Sequence, residues 1–481
     1  MVERLNRNFW RHGSRALMLA LVSGVVASLM ASATQAQDFR TYTRNTYETW
    51  LHKYADAKPD FKPGDVLTAK DLEKIRPFMP PGYLEQLNFP DFKMAIIAPV
   101  NHMPRRDYMD CTEKYQGQVK LRSDGALANY VCGQAFVSTT MDTTDPDSGI
   151  KAAWNFEYRW QNYGLAALNV IWSWENFGGS HTAPVPNNPP PQWMPFTDFS
   201  EKLPTDTTEL YGGGGTFNRS LQSSYQRVYF SHLAQLEDKG GALPMPGAKD
   251  FEFKDFIGFF EPFDIRGSAF IIYRYVEPTR SDDAWGYIPN LRHVRRISIE
   301  SKSDSVLGTD YTLEDFGGFS GRPLEWTWKF LGWKDVLGVL DSKWEYAHLY
   351  GPNGIIPDDA WSVRRYAIVE RKPKLPNHPY SSVLIFWDAE NWYPSFSIAF
   401  DRSGKLWKIA LWQQRWSEDY TTDWSAINKG IQAGTFQSAQ ILDLGKSRGT
   451  ILMGYGVGYP NVTARHAAEL YDINNLEQAH R

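Results

Sequence analysis

The chain has 481 residues, with 51 Lys+Arg against 55 Asp+Glu and a formal net charge of −4, a balance that speaks against general nucleic-acid binding, which needs a basic footprint. Its 42% hydrophobic and 15% aromatic content supplies a sizeable core and excludes a disordered chain.

Arg4, Arg7, Arg11 and Arg15 lead into an apolar stretch from Ala16 to Ala31, and Thr34 and Ala36 suit cleavage after Ala36. Residues 1–36 therefore read as a signal peptide, and the mature protein is expected in the periplasm. The apolar run is short of the ~20 residues that a spanning helix needs. With no cysteine near the cleavage site, no lipid anchor is expected. Without this segment the chain carries 47 basic against 54 acidic residues, a net charge of −7.

Residues 37–118 read as an irregular, partly helical lead-in. Thr68 and Asp71 cap a short helix from Ala69 to about Arg76, which Pro77, Pro80, Pro81 and Gly82 end. The two cysteines, Cys111 and Cys132, are expected to form a disulfide in an oxidising compartment. Ser123-Asp124-Gly125 between them reads as a tight turn. A two-residue turn at Asp124-Gly125 sets Cys132 opposite Gly117, so the bridge needs the chain to fold back near Lys114–Gly117.

From about residue 119 the pattern has period 2, the mark of half-buried strands. Phe156, Tyr158 and Trp160 alternate with polar residues, as do Phe396, Ile398 and Phe400 with small ones. Ala269–Val276 and Val383–Trp387 are almost continuously apolar, as strands covered on both faces are. Asp401–Gly404 reads as the turn of a hairpin. Residues 179–206 are Pro/Asn-rich and read as a long surface loop, Gly212–Gly215 as a joint, and Phe217–Gln235 as a helix. The β-region is taken to span 119–460, with a tail at 461–481. The fold class is mainly β with inserted helices (α+β).

Catalytic signatures are missing: the sequence has no HExxH, GxSxG, Walker loop or GxGxxG. Asp315-Phe316-Gly317 imitates a kinase triplet without its catalytic loop. Glu157 and Glu175 are carboxylates of the kind that hydrolyse sugars, but nothing in the sequence fixes their separation. His102, His181, His232, His293 and His378 lack ligand spacing. No catalytic residue, metal or cofactor is assigned. The stretch Trp285–Arg296 sets aromatic residues beside Arg292, Arg295 and Arg296. Such a pattern suits either an amphipathic ligand, with its acidic head at a guanidinium rim, or a strand whose arginines pair with neighbouring carboxylates.

Several spaced motifs then occur in order. Gly133-x-Ala135-Phe136 and Trp154-Asn155 with Tyr158-Arg159 come first, then Gly267 with Tyr273-Arg274-Tyr275, and Trp285-x-Tyr287-x-Pro289-x-x-Arg292-x-Val294-Arg295-Arg296. Gly321 with Trp328-Lys329, Gly332-x-Lys334, Arg364–Glu370, His378-x-Tyr380, Asp388 with Trp392, and Asp401-x-x-Gly404-x-Leu406-Trp407 follow. Over about residues 85–412 this order resembles a large bacterial family of exported proteins of unknown function, similar to outer-membrane lipoprotein-sorting proteins. Ala135, Asp335-Val336-Leu337 and the cysteine pair depart from the family pattern. The resemblance implies a LolA/LolB-like incomplete antiparallel barrel closed by helices over an apolar cavity. It also implies a non-enzymatic carrier of a lipid or other hydrophobic compound on an envelope export or outer-membrane assembly route. On this reading Trp154, Phe156, Tyr273, Trp285, Tyr287 and Trp407 line the cavity, and Arg292, Arg295 and Arg296 form a rim or partner surface. The alternatives are a scaffold linking an inner-membrane export pump to an outer-membrane protein, and an enzyme acting on a hydrophobic substrate.

Overall fold

The computed structural model describes residues 41–177, 216–289, 292–297, 302–345, 347–421, 424–459 and 464–476. The signal peptide, the Pro/Asn-rich loop, the Gly212–Gly215 joint and part of the tail lie outside these residues.

The strands come in chain order as β1 (Val66–Thr68), β2 (Lys93–Ile96), β3 (Lys120–Leu121) and β4 (Leu127–Ala128). Then come β5 (Gly164–Asn176), β6 (Thr216–Tyr229), β7 (Phe251–Glu261), β8 (Ala269–Tyr275), β9 (Asp283–Ile288) and β10 (His293–Ile297). β11 (Trp326–Gly338), β12 (Leu349–Tyr350), β13 (Ile356–Pro357), β14 (Ala360–Pro373) and β15 (Tyr380–Asp388) follow. The last are β16 (Pro394–Asp401), β17 (Leu406–Trp416), β18 (Gly434–Asp443) and β19 (Arg448–Gly458). Fifteen of these build one sheet in which two meanders, β14 to β19 and β5 to β10, meet where β19 pairs with β5. Neighbours are antiparallel except β2 with β14. The sheet is mixed and is not closed into a barrel: its path runs from β1 to β10, with β11 added beside β14. The lead-in thus contributes β1 and β2 to the sheet. Among the described residues, no helix is long and apolar enough to cross a membrane.

Local chemistry accounts for the elements. Thr68 and Asp71 cap each other reciprocally at the start of the turns running to Phe78. At Asp401–Gly404 the chain reverses between β16 and β17, with Gly404 at φ 80°, a conformation that suits glycine.

Three expectations need correcting. Phe156 lies on a helix, Ser148–Glu157, not on a strand. Its buried Gly149, Ala152, Ala153 and Phe156 fall at i, i+3, i+4 and i+7, whereas the apparent aromatic alternation continues past the helix end. Phe217–Gln235 is mostly the strand β6, not a helix. Its buried face carries Leu221, Ser223 and Tyr225, and the small polar member conceals the period. The turn after Leu121 is a three-residue one: Leu121 faces Leu127, and Arg122 N–H donates to Ala126 O at 2.8 Å. Cys111, on the helix Arg106–Tyr115, bonds to Cys132 with the Cα atoms 5.8 Å apart.

Candidate functional site

Where the two meanders meet, one face of the sheet is apolar. Register places Trp412, Ala439, Leu452, Trp172 and Leu221 side by side across β17, β18, β19, β5 and β6, and all five are buried. Leu165 and Ala167 precede Trp172 on β5. The register with β6 shifts between Ala167 and Val170, and this bulge lets Val170 and Trp172 line the same pocket as Leu165 and Ala167 despite the odd spacing.

The turns Leu313–Gly318, with Tyr311 before them and Phe319 after, cover this face. The Phe316 ring lies 5.9 Å from Trp172 and 5.3 Å from Tyr225, and Tyr311 meets Trp172 edge-on at 5.7 Å. Polar anchors fix the cover from behind. Asp315 accepts from Thr312, Tyr380 and Arg371 at 2.7, 2.8 and 3.1 Å, and the Tyr311 hydroxyl donates to Asp315 O at 3.0 Å. Floor and cover leave a pocket with a cavity volume of about 80 Å³, which Phe436 and Leu452 also line.

Arg227, Arg159 and Gln161 supply the pocket's polar lining. Arg227 stands over the Phe253 ring and bonds to both oxygens of Asp255 at 2.7 Å. Burial opposes its charge, yet the Asp255 carboxylate holds the guanidinium well above its ordinary pKa. Arg159 lies over the Phe156 ring at 4.0 Å and donates to Phe156 O at 2.7 Å. Gln161, with its side-chain oxygen turned toward them, accepts from Arg159 at 3.0 Å and from the Tyr229 hydroxyl at 3.1 Å. A second, smaller pocket adjoins at Arg159 and Gln161. Tyr108, Tyr130, Tyr158, Tyr229, Ser231 and His232 help line it.

The residues singled out from sequence fall elsewhere. Trp154 is buried against Val119 and Ala135, its indole donating to Gly125 O at 2.9 Å. Phe156 stacks on Trp387 at 4.7 Å in the core under that helix. Trp407 borders the same core and donates to Asp443 at 3.0 Å. Tyr273, Trp285 and Tyr287 come together, half-buried, at another cluster, where Lys254 sits 3.9 Å over the Tyr273 ring. None of the six is among the residues lining the pocket under the Leu313–Gly318 turns. Arg292, Arg295 and Arg296 are exposed; Arg296 pairs with Asp283 on the adjacent β9, and Arg295 donates to His293 at 2.8 Å. Glu157 is buried and paired with Arg274 at 2.6 Å, and the Glu175 side chain lies outside the described residues.

The pocket residues that the sequence did not single out are chiefly Trp172, Tyr225, Phe436 and Leu452. Arg159 and the Asp315–Gly317 triplet were visible, the former inside a family motif and the latter only as a discarded kinase likeness.

No curated protein matches the chain. Among solved structures it is similar to a domain described as an outer membrane lipoprotein-sorting protein from Vibrio parahaemolyticus, with 16% identity over 69% of this chain and 100% of that one and a TM-score of 0.42. It is also similar to a DUF1329 family protein from Desulfovibrio piger, with 16% identity over 69% and 99% and a TM-score of 0.42. A LolA superfamily protein from Nitrosomonas europaea aligns with 12% identity over 64% and 92% and a TM-score of 0.34. The family model described as a protein of unknown function, DUF1329, matches residues 66–211 and 205–455, and the chain belongs to that family.

Proposed function

We propose that the protein is a non-enzymatic carrier that shelters a hydrophobic molecule in the pocket between the central strands and the Leu313–Gly318 turns. The observation that carries this reading is the lining itself: Val170, Trp172, Phe316, Phe436 and Leu452 offer a ligand an apolar surface. Each Å² of apolar ligand surface moved there from water contributes ~25 cal/mol. The carboxylates near the pocket support a binding role over catalysis, because Asp255 and Glu157 are engaged in structural pairs with Arg227 and Arg274.

An export route in the periplasm fits the basic-then-apolar N-terminal sequence and the buried Cys111–Cys132 bridge. Exchange with a membrane pump or an outer-membrane partner belongs to the same proposal. Arg292 and Arg295, exposed at the end of the sheet path, are proposed to face such a partner and not the ligand.

Native mass spectrometry of gently purified protein is expected to reveal a co-purifying lipid, and delipidated protein is expected to take up a hydrophobic dye. Leu452→Trp, which fills the pocket from its floor, is expected to abolish that uptake in a folded protein. Delipidated wild-type protein that takes up no fatty acid, phospholipid or dye removes the proposal.

A further inference from the structure

Arginines buried near the pocket have acidic partners. Arg227 has Asp255; Arg274 has Glu157 and Asp282; Arg322 has Asp282. Arg159 differs. It is half-buried, yet among the described residues no carboxylate lies within ion-pair distance of it. Its contacts are neutral: the Phe156 carbonyl, the Phe156 and Tyr393 rings and the Gln161 amide. The neighbouring acid, Glu157, is held by Arg274 at 2.6 Å. A guanidinium withdrawn from water without a countercharge is costly, and an anion that enters its site recovers that cost.

Its position gives the missing anion an identity. Arg159 and Gln161 border both pockets, the apolar one of about 80 Å³ and the smaller one of about 30 Å³. The first offers a hydrocarbon chain an apolar wall of Trp172, Phe316 and Leu452. The second is lined by Tyr229, Ser231 and His232, and by Glu157, whose charge Arg274 offsets. Apolar chamber, cation and polar chamber therefore occur in sequence.

We propose, resting on the carrier reading, that the ligand is a single-tailed amphiphile with an acidic head. The tail lies against Trp172, Phe316 and Leu452, and the carboxylate or phosphate head is bound by Arg159 with Gln161 beside it. A planar guanidinium suits either head through paired N–H donors. Nothing covalent happens; the site selects by charge.

The test measures binding of palmitate, hexadecyl phosphate and hexadecanol to the delipidated full chain by displacement of a hydrophobic dye. In the wild type at least one anion is expected to bind about tenfold or more tighter than the alcohol, the worth of a charge-assisted hydrogen bond. Which anion leads identifies the head. Arg159→Met is expected to bring the anion-to-alcohol ratio to about one, and Arg159→Lys to restore part of it. Gln161→Glu, which places a countercharge beside Arg159, is expected to erase the preference without removing the cation. Equal wild-type affinity for anion and alcohol overturns the proposal. So does a preference that survives both Arg159→Met and Gln161→Glu. If anions and alcohol bind alike and Leu452→Trp blocks them all, the carrier reading stands and only the acidic head falls. If none binds, both fall. Should Arg159→Met not fold, the wild-type ratio and the Gln161→Glu variant decide.

Discussion

Arg227 and Asp255 face each other through two parallel hydrogen bonds, Nε to Oδ1 and Nη2 to Oδ2, both 2.7 Å long, at the polar end of the apolar pocket. They come from adjacent strands in register on β6 and β7. The pair places a cation in the pocket wall while cancelling its charge. Asp255→Ala leaves Arg227 buried and uncompensated, and is expected to cost about 3–5 kcal/mol. The double replacement Arg227→Met with Asp255→Leu is expected to cost much less, since no lone charge remains. Urea midpoints of the three proteins check the ordering. A double variant as unstable as Asp255→Ala counts against it.

Gly149 carries the contact between the helix Ser148–Glu157 and β11. A Cβ there would lie 2.6 Å from Trp328 C and 2.7 Å from Lys329 N, both backbone atoms that cannot swing aside. Alanine normally gains up to about 1 kcal/mol over glycine within a helix. Here overpacking reverses the sign, and Gly149→Ala is expected to destabilise by about 1–3 kcal/mol. A raised melting temperature for this variant contradicts the close approach.

The Cys111–Cys132 bridge spans 21 residues and ties the helix Arg106–Tyr115 to the segment after β4. Replacing both cysteines by serine is expected to lower stability by roughly 3 kcal/mol on the chain-entropy model. Thermal melts of wild type with and without reductant, set beside the double serine variant, check this. A reductant-insensitive wild type that matches the variant rules the contribution out.

How much of this was legible depended on what each feature required. The strands β8, β15 and β16 and the turn at Asp401–Gly404 announce themselves through local patterns of apolar and turn residues, and the structure forms each of them. The pocket has no such local signature. Its wall is assembled from β5, β6, β18, β19 and the turns around Phe316, segments far apart in the chain. The bulge between Ala167 and Val170 also breaks the alternation that would have marked one face of β5. Aromatic content could not separate a pocket wall from a core: Phe156 and Trp172 have similar apolar surroundings in sequence, but one stacks on Trp387 and the other lines the pocket. The arginine cluster at 292–296 is conspicuous because its three members fall within five residues. Arg159 differs only in what it lacks, a carboxylate partner, and that is visible only in three dimensions.

Asp282 sets the acid sensitivity of the fold. It is buried among Arg274, Arg322 and Lys302, with contacts of 3.0, 3.0 and 3.1 Å. Burial opposes its ionisation, but Arg274, Lys302 and Arg322 outweigh burial and hold the carboxyl well below the ordinary range. A carboxylate with a depressed folded pKa contributes stability that is complete above its unfolded value of ~4 and declines as pH falls toward the folded one. Asp282→Asn is therefore expected to be several kcal/mol less stable than wild type at pH 7, with two arginines left short of countercharge. The gap is expected to narrow by about 1.4 kcal/mol for each pH unit below ~4, as the wild type loses an advantage the variant never had. Urea denaturation of both proteins at pH 7 and pH 3 measures the gap, and one that stays constant between the two excludes an ionised Asp282 as its source.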